Sequence, residues 1–298
     1  MNQDGTANVL SGAVEIGQGY ATATAQVVAE ALGIRYEDVN PTLADTAATP
    51  ATIGNVASTG TSSPMNAAKL AAEDVKRKLF QLATPRLNAP VDALEARDGN
   101  IWVKGTNNKI PIADICAANW QVTGTANNPP VDAIRDEKTR QVIHAYAAAA
   151  TIAEVEVDTE TGMVDVIRIT SGHDCGRAIN PVIVENQIDL GITMANGWVR
   201  TEEYIIDPKT GVVINPNLLD YKLLTFLDMP RSGDFQRFMV ERPCAWGPFG
   251  AKGFSETAMT ALAPAIANAI YNATGTRIYG GSLTPSNILT ALETAKRR

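Results

Sequence analysis

The clearest pattern of apolar and polar positions lies in the second half of the chain. Ile152, Val155 and Val157 stand before the polar run Asp158-Thr159-Glu160-Thr161-Gly162, and Val164, Val166, Ile167 and Ile169 follow it. β-Branched residues on either side of a glycine-bearing turn predict a hairpin. A second hairpin is predicted around Asp207-Pro208-Lys209-Thr210-Gly211. A third spans Ala93–Gly105 about Asp98-Gly99-Asn100, the sequence form of a tight turn. Ala7–Ile16 reads as a strand leading into Gly17-Gln18-Gly19, and Tyr36–Ala44 as another.

Helices are predicted over Tyr20–Leu32, stopped by Gly33, and from Pro64, which suits a first turn, through about Lys78. In the latter, Met65, Ala68, Leu70, Val75, Leu79 and Leu82 fit a helical stripe only loosely, opposite Lys69, Glu73, Lys76 and Arg77. Further helices are predicted over Ile112–Asn119, from near Pro181, over Glu256–Asn272 and after Pro285, with a loop over His173–Arg177. Strands and helices mix without a regular β-α-β period, so the expected class is α+β. The polar stretch Gly124–Thr139, with Asn127-Asn128-Pro129-Pro130, predicts the crossing between two mixed α/β lobes, residues 1–125 and 126–298.

Composition narrows the function. A net charge of -7 and a pI near 5.0 argue against nucleic acid or an anionic membrane as partner. No run of 18 apolar residues exists, so no membrane span is expected. Met1-Asn2-Gln3-Asp4-Gly5 is neither basic nor apolar, so no secretion signal is expected and the cytoplasm is the expected compartment. The three cysteines, Cys116, Cys175 and Cys244, form no Cys-x-x-Cys, so the chain holds no iron–sulfur cluster by itself. The two histidines, His144 and His173, make no paired zinc motif.

Four segments carry candidate chemistry. Gly17-Gln18-Gly19, between a strand and a helix, offers backbone N–H groups and a helix dipole to an anion. A dinucleotide-binding loop is one reading, with Asp38 as the ribose acid, but the third glycine is missing. The hydroxyl-rich loop Ala57–Ser63 suits phosphate oxygens, or is a polar loop before a helix. His173-Asp174-Cys175 reads as a nucleophile or metal site, or as a structural turn, since neighbours in sequence point different ways. Finally, Gly247–Thr257 is a glycine-rich loop running into an alanine-rich helix. Lys252 offers a positive charge to an anion, Ser255 suits the helix N-cap, and Glu256 falls in the first turn, where the dipole favours its ionised form. A carboxylate at the rim of a backbone-lined pocket is a general base or a capping acid.

These segments together resemble the molybdenum hydroxylases, the xanthine dehydrogenase and aldehyde oxidoreductase family. The loop through Lys252-Gly253-Phe254-Ser255-Glu256 is similar to that family's Gly-x-Lys-Gly-x-Gly-Glu signature, with Ser255 in place of a glycine. Gly12–Gly19 resembles its Gly-x-x-(Glu/Asp)-x-Gly-Gln-Gly segment, and Asp174–Pro181 its Asp-Cys-Gly-x-x-(Ile/Leu)-Asn-Pro segment, followed by Gln187. Asn215–Tyr221 resembles a further segment of architectural character. The resemblance runs from Ser11 to about Leu289 and covers the C-terminal molybdopterin-binding portion of the family's large subunit. It is nearest the medium molybdopterin subunit of split enzymes such as nicotinate dehydrogenase.

The resemblance implies that both lobes bind molybdopterin, alone or as a dinucleotide. Gly17, Gln18, Gly19, Ser58, Thr59, Gly60, Thr61, Gln187, Lys252, Gly253, Phe254 and Ser255 would contact it. Molybdenum would be held through the pterin dithiolene rather than by a side chain, and Glu256 would be the active-site base. The implied reaction is hydroxylation of an electron-poor carbon, as in nicotinate or a purine, with oxygen from water. The implied partners are a larger molybdopterin subunit, a [2Fe–2S] subunit and an FAD subunit, besides the small aromatic substrate. Alternatives are an aldehyde oxidoreductase or aromatic acyl-CoA reductase subunit of the same family, or a non-catalytic cofactor-assembly protein.

Overall fold

A computed structural model describes residues 1–119, 121–127, 134–135, 138, 142–143 and 146–297. The chain divides into two compact units. One comprises Met1–Tyr146, Cys175–Ile183 and Glu241–Gly253, the other Ala147–Asp174, Val184–Val240 and Phe254–Arg298. Strands and helices mix in both, as expected for α+β. The predicted crossing Gly124–Thr139 lies largely outside the described residues, as does His144.

The first unit opens with a β-α-β turn. Strand β1 (Ala7–Ser11) leads through helix α1 (Tyr20–Leu32) to β2 (Val39–Leu43), which pairs parallel with β1 from Ala7↔Val39 to Ser11↔Leu43. β1 is shorter than the predicted Ala7–Ile16, because the chain curls round the Glu15 side chain after Gly12. Tyr36–Asp38 is a 3₁₀ turn rather than strand. There Arg35 pairs with Asp38 at 2.8 Å, which occupies the acid that a dinucleotide loop would need.

Helix α2 (Asn66–Leu87) begins two residues later and ends nine later than predicted. Pro64 sits instead in a wide π-helical turn, Thr61–Met65, that precedes it. Proline has no N–H to give the turn before it, so the regular helix starts beyond it. The hairpin of β3 (Leu94–Arg97) and β4 (Asn100–Val103) forms at Asp98-Gly99 as predicted, joined by β5 (Lys109–Pro111). Helix α3 (Ile112–Ala118) follows, then a short pair, β6 (Ile134–Arg135) and β7 (Val142–Ile143). Val28, Leu32, Leu79, Leu94, Ile101 and Ile115 are among the buried residues of the unit's main core. Each such side chain contributes about 1.5–3 kcal/mol on burial.

The second unit is built on a three-stranded sheet. β8 (Ala149–Val157) and β9 (Val164–Asp174) form the predicted hairpin, and β10 (Phe235–Val240) adds parallel to β9. β9 runs on through His173 and Asp174, which are paired strand residues rather than loop. The hairpin predicted at Asp207–Gly211 is reduced to a single bridge, Ile206↔Val213. Helix α4 (Pro181–Arg200) enters this unit at Val184. The single helix predicted over Glu256–Asn272 is two, α5 (Ser255–Thr260) and α6 (Leu262–Thr274). Pro264 cannot donate to the Thr260 carbonyl, which breaks the ladder between them. α6 packs on β8, and the last helix, α7 (Pro285–Lys296), starts at the predicted proline. No described helix is long and apolar enough to cross a membrane.

Candidate functional site

In the first unit the loop before α1 is shaped by an acid. The Glu15 carboxylate accepts from the backbone N–H groups of Gly17 and Gly19, each at 3.0 Å, and of Ala21 at 2.9 Å. Those of Gly19 and Ala21 are orphan donors of a helix start. The amides read from the sequence as a place for an external anion are therefore engaged by the chain's own carboxylate. Gly19 takes φ 73, open to glycine at little cost. Gln18 is drawn into the same loop, accepting from Ile16 N–H at 2.7 Å and donating to the Val14 carbonyl at 2.8 Å.

The Val14 carbonyl also accepts from Asn55 Nδ2, at 2.7 Å, which ties this loop to the next. There Ala57 and Ser58 both adopt left-handed backbone, at φ 49 and 54. Thr59 folds back on Val56 through its amide, at 2.9 Å, and its hydroxyl, at 2.6 Å. Gly60 and Thr61 then lead into the π-helical turn. Consecutive non-glycine residues in this region store strain, and strain of this kind gathers at ligand clamps.

Gly253 closes the arrangement. A Cβ there would lie 1.7 Å from the Ser58 carbonyl oxygen, so only glycine permits the approach. Lys252 is buried, and its N–H donates to the Cys175 carbonyl at 2.9 Å. Arg177 N–H reaches the Gly250 carbonyl at 3.1 Å, which stitches Cys175–Arg177 to the same loop. Ala13, Tyr20, Val27 and Met65 form a small core, with Ile179 and Phe249 packed against it, drawn from all these segments. Thus Gly17–Gly19, Ser58–Thr61, Lys252 and Gly253, distant in sequence, are brought together within one unit.

In the second unit α4 and α5 approach closely. A Cβ on Gly191 would lie 2.5 Å from Ala258 Cβ. One turn earlier on α4, buried Gln187 accepts a hydrogen bond at its Oε1 from Ser255 Oγ, at 2.9 Å. Ser255 is not the helix N-cap: Phe254 holds that position, with no side-chain cap. Ser255 is the first residue of the helix, one past the cap position, and its hydroxyl donates to Gln187. Buried Phe254 instead receives Thr257, amide at 2.9 Å and hydroxyl at 2.5 Å, on its carbonyl. Glu256 stands exposed in the first turn of α5, as expected.

His173 is fully buried at the end of β9. Its Nε2 meets Ser171 Oγ at 2.8 Å, and that hydroxyl meets Thr151 Oγ1 at 2.6 Å. Burial holds the imidazole below its ordinary value of 6.5. This imidazole and its two hydroxyls form a strand-end network. Among the described residues no cluster of three His, Cys, Asp or Glu could hold a metal directly.

Two residues of the loops carry no role in the sequence reading. Glu15 had a signal, its spacing ahead of Gly17 and Gly19. Asn55 had none, and its Oδ1 is a buried acceptor with no partner in the structure. An organic cofactor with N–H donors fits such an orphaned acceptor beside strained, close-packed loops.

Residues 1–230 match the molybdopterin cofactor-binding domain family. The chain is 33% identical over 291 residues to the putative xanthine dehydrogenase molybdenum-binding subunit XdhA of Escherichia coli, covering 97% of this chain and 38% of that protein. It is 31% identical over 290 residues to the 6-hydroxypseudooxynicotine dehydrogenase complex subunit gamma of Paenarthrobacter nicotinovorans, covering 97% and 36%. The crystal structure of quinoline 2-oxidoreductase from Pseudomonas putida superposes with a TM-score of 0.87 at 28% identity, covering 98% of this chain and 37% of that one. The chain thus spans well under half the length of the relatives it matches.

Proposed function

This chain belongs to the molybdopterin cofactor-binding domain family, and on that premise we propose that it is the cofactor-binding and base-bearing part of a multi-subunit molybdenum hydroxylase. Its substrate class is an electron-poor N-heteroaromatic ring, of the kind named in two of the proteins it resembles. When bound, the cofactor supplies the two-electron oxidation that hydroxylation of such a ring requires. The strained loop Ser58–Thr61, with Gln18, Lys252 and Gly253, holds the cofactor in the first unit. In the second unit, Gln187, Phe254 and Ser255 are the residues that the family resemblance marks for cofactor contact.

The observation that carries the reading is the placement of Glu256. It lies in the first turn of α5, directly after the residue whose hydroxyl orients Gln187. A carboxylate there can take the proton from the water-derived oxygen as that oxygen attacks the ring. A larger molybdopterin subunit completes the pocket, and [2Fe–2S] and FAD subunits carry the electrons away in the cytoplasm.

The test is the native complex captured through this chain. The expected complex holds molybdenum and pterin in stoichiometric amount and hydroxylates N-heteroaromatics with an artificial electron acceptor. Glu256→Gln keeps the metal and lowers kcat by roughly 10²–10⁴. Normal turnover by that variant, or a complete complex without molybdenum, overturns the proposal.

A further inference from the structure

A left-handed backbone conformation suits glycine and, in turns, asparagine or aspartate. Asn88 at the end of α2 and Asp98 in the β3–β4 turn fit that pattern. Phe249 does not. It takes φ 51 and ψ 23 in the short 3₁₀ turn Pro248–Gly250. Among the described non-glycine residues of positive φ it is the one with a bulky side chain. For such a side chain this region is a strained outlier, and outliers of this kind point to function.

The conformation has a local consequence. Gly250 follows at φ 92, and the N–H groups of Gly250 and Ala251 close the turn on the carbonyls of Gly247, at 3.1 Å, and Pro248, at 3.0 Å. The reversal presents the Gly250 carbonyl to two amides, those of Cys244 at 2.9 Å and Arg177 at 3.1 Å. Two residues on, Lys252 N–H meets the Cys175 carbonyl, and Gly253 packs against the Ser58 carbonyl. The path of Lys252 and Gly253 is thus set from Phe249 onwards.

Backbone alone does not call for phenylalanine, since glycine would adopt the same angles without strain. What glycine would lack is the ring. The Phe249 side chain packs against the unit's main core and also against the small core of Ala13, Tyr20, Val27 and Met65. Lys69 Nζ lies 5.2 Å from the ring centre, within the reach of a cation–π contact. Lys69 is mostly buried, stands in the first turn of α2 directly after the π-helical turn, and also reaches Glu73 Oε1 at 2.6 Å. The ring therefore joins the turn that shapes the Lys252 loop to the helix that follows the strained loop Ser58–Thr61.

We infer that Phe249 is a positioning residue. Clamped by Lys69 and by both cores, its ring holds its own strained backbone in place and so fixes the path of Lys252 and Gly253 toward the cofactor. The inference rests on the proposed function, in which those two residues hold the cofactor.

The test follows the Lys252 amide by hydrogen exchange with single-amide fragmentation in the native complex, captured through a tag on this chain, with molybdenum measured on the same samples after gel filtration. Phe249→Gly, which removes the strain together with the ring, should quicken exchange at Lys252 roughly tenfold or more and lower molybdenum retention several-fold. Lys69→Met, which keeps the stem and removes the charge, should do both by roughly two- to fivefold, and Lys69→Arg should restore them. The paired amides of β3 and β4 should hold their rates in both Lys69 variants. An unchanged Lys252 amide in a folded Phe249→Gly chain overturns the inference. So do Lys69→Met and Lys69→Arg chains that behave alike, or a quickening equally large in β3 and β4, which marks a merely structural residue. An unsubstituted complex that lacks molybdenum overturns the proposed function, while the Lys252 amide still decides whether Phe249 positions the loop.

Discussion

In the first unit the candidate residues are held by main chain: carbonyls against glycines, amides on a carboxylate, and two left-handed residues in a row. In the second unit they are held by a side-chain bond between two helices, Ser255 to Gln187. The contrast concerns tolerance. A cradle of backbone admits no added atom at its contacts, whereas a side-chain pair can be loosened and restored by conservative exchange. Damage in the first unit should therefore appear as lost folding and cofactor together. Damage in the second should appear in chemistry and retention while the fold persists.

Gly253→Ala should break the comparison most severely. Its methyl would meet the Ser58 carbonyl oxygen at 1.7 Å, forcing the two loops apart at a cost of about 1–3 kcal/mol. Thermal melting and metal analysis of the purified complex should both show the loss. A variant with unchanged Tm would mean that the loops do not pack this closely. Glu15→Ala comes next. It strips the acceptor from the amides of Gly17, Gly19 and Ala21, a change comparable to losing a helix cap, about 1 kcal/mol. Urea unfolding measures it, and exchange at those three amides should quicken.

Ser255→Ala should spare the fold but free the Gln187 amide to rotate, at about 1 kcal/mol of orientation. The expected result is a several-fold loss of molybdenum retention, with Ser255→Thr restoring it. Equal retention in both variants would remove Gln187 from the cofactor's surroundings. The smallest effect concerns His173. A buried imidazole held below 6.5 binds its proton less readily folded than unfolded. Stability is thus fully present above about pH 6.5 and is lost as pH falls below it. His173→Asn should flatten that part of the urea-midpoint profile, and an identical slope would show that another group titrates there.

The α+β mixture, the β8–β9 hairpin and the Asp98-Gly99 turn were legible because each depends on residues near in sequence. The helix limits were less so. Pro64 reads locally as a first turn, yet it sits inside a π-helical turn whose path is set together with the strained loop before it. Pro264 carried a local signal that the single helix read over Glu256–Asn272 did not use. Ser255 has the side chain of a cap, but the helix begins at it rather than after it, and its hydroxyl donates to a partner 68 residues away.

What the sequence determined by itself was the set of short motifs and their order, since glycines, a lone carboxylate and turn residues act through local backbone freedom and charge. The tertiary structure decided which atoms of those motifs remain available. Glu15 filled the amides of the Gly17–Gly19 loop, Ser58 reserved Gly253 for close packing, and Gln187 claimed Ser255. Each of those outcomes depends on a hydrogen bond or contact whose partner is chosen by packing, and packing is written in no single segment of the chain.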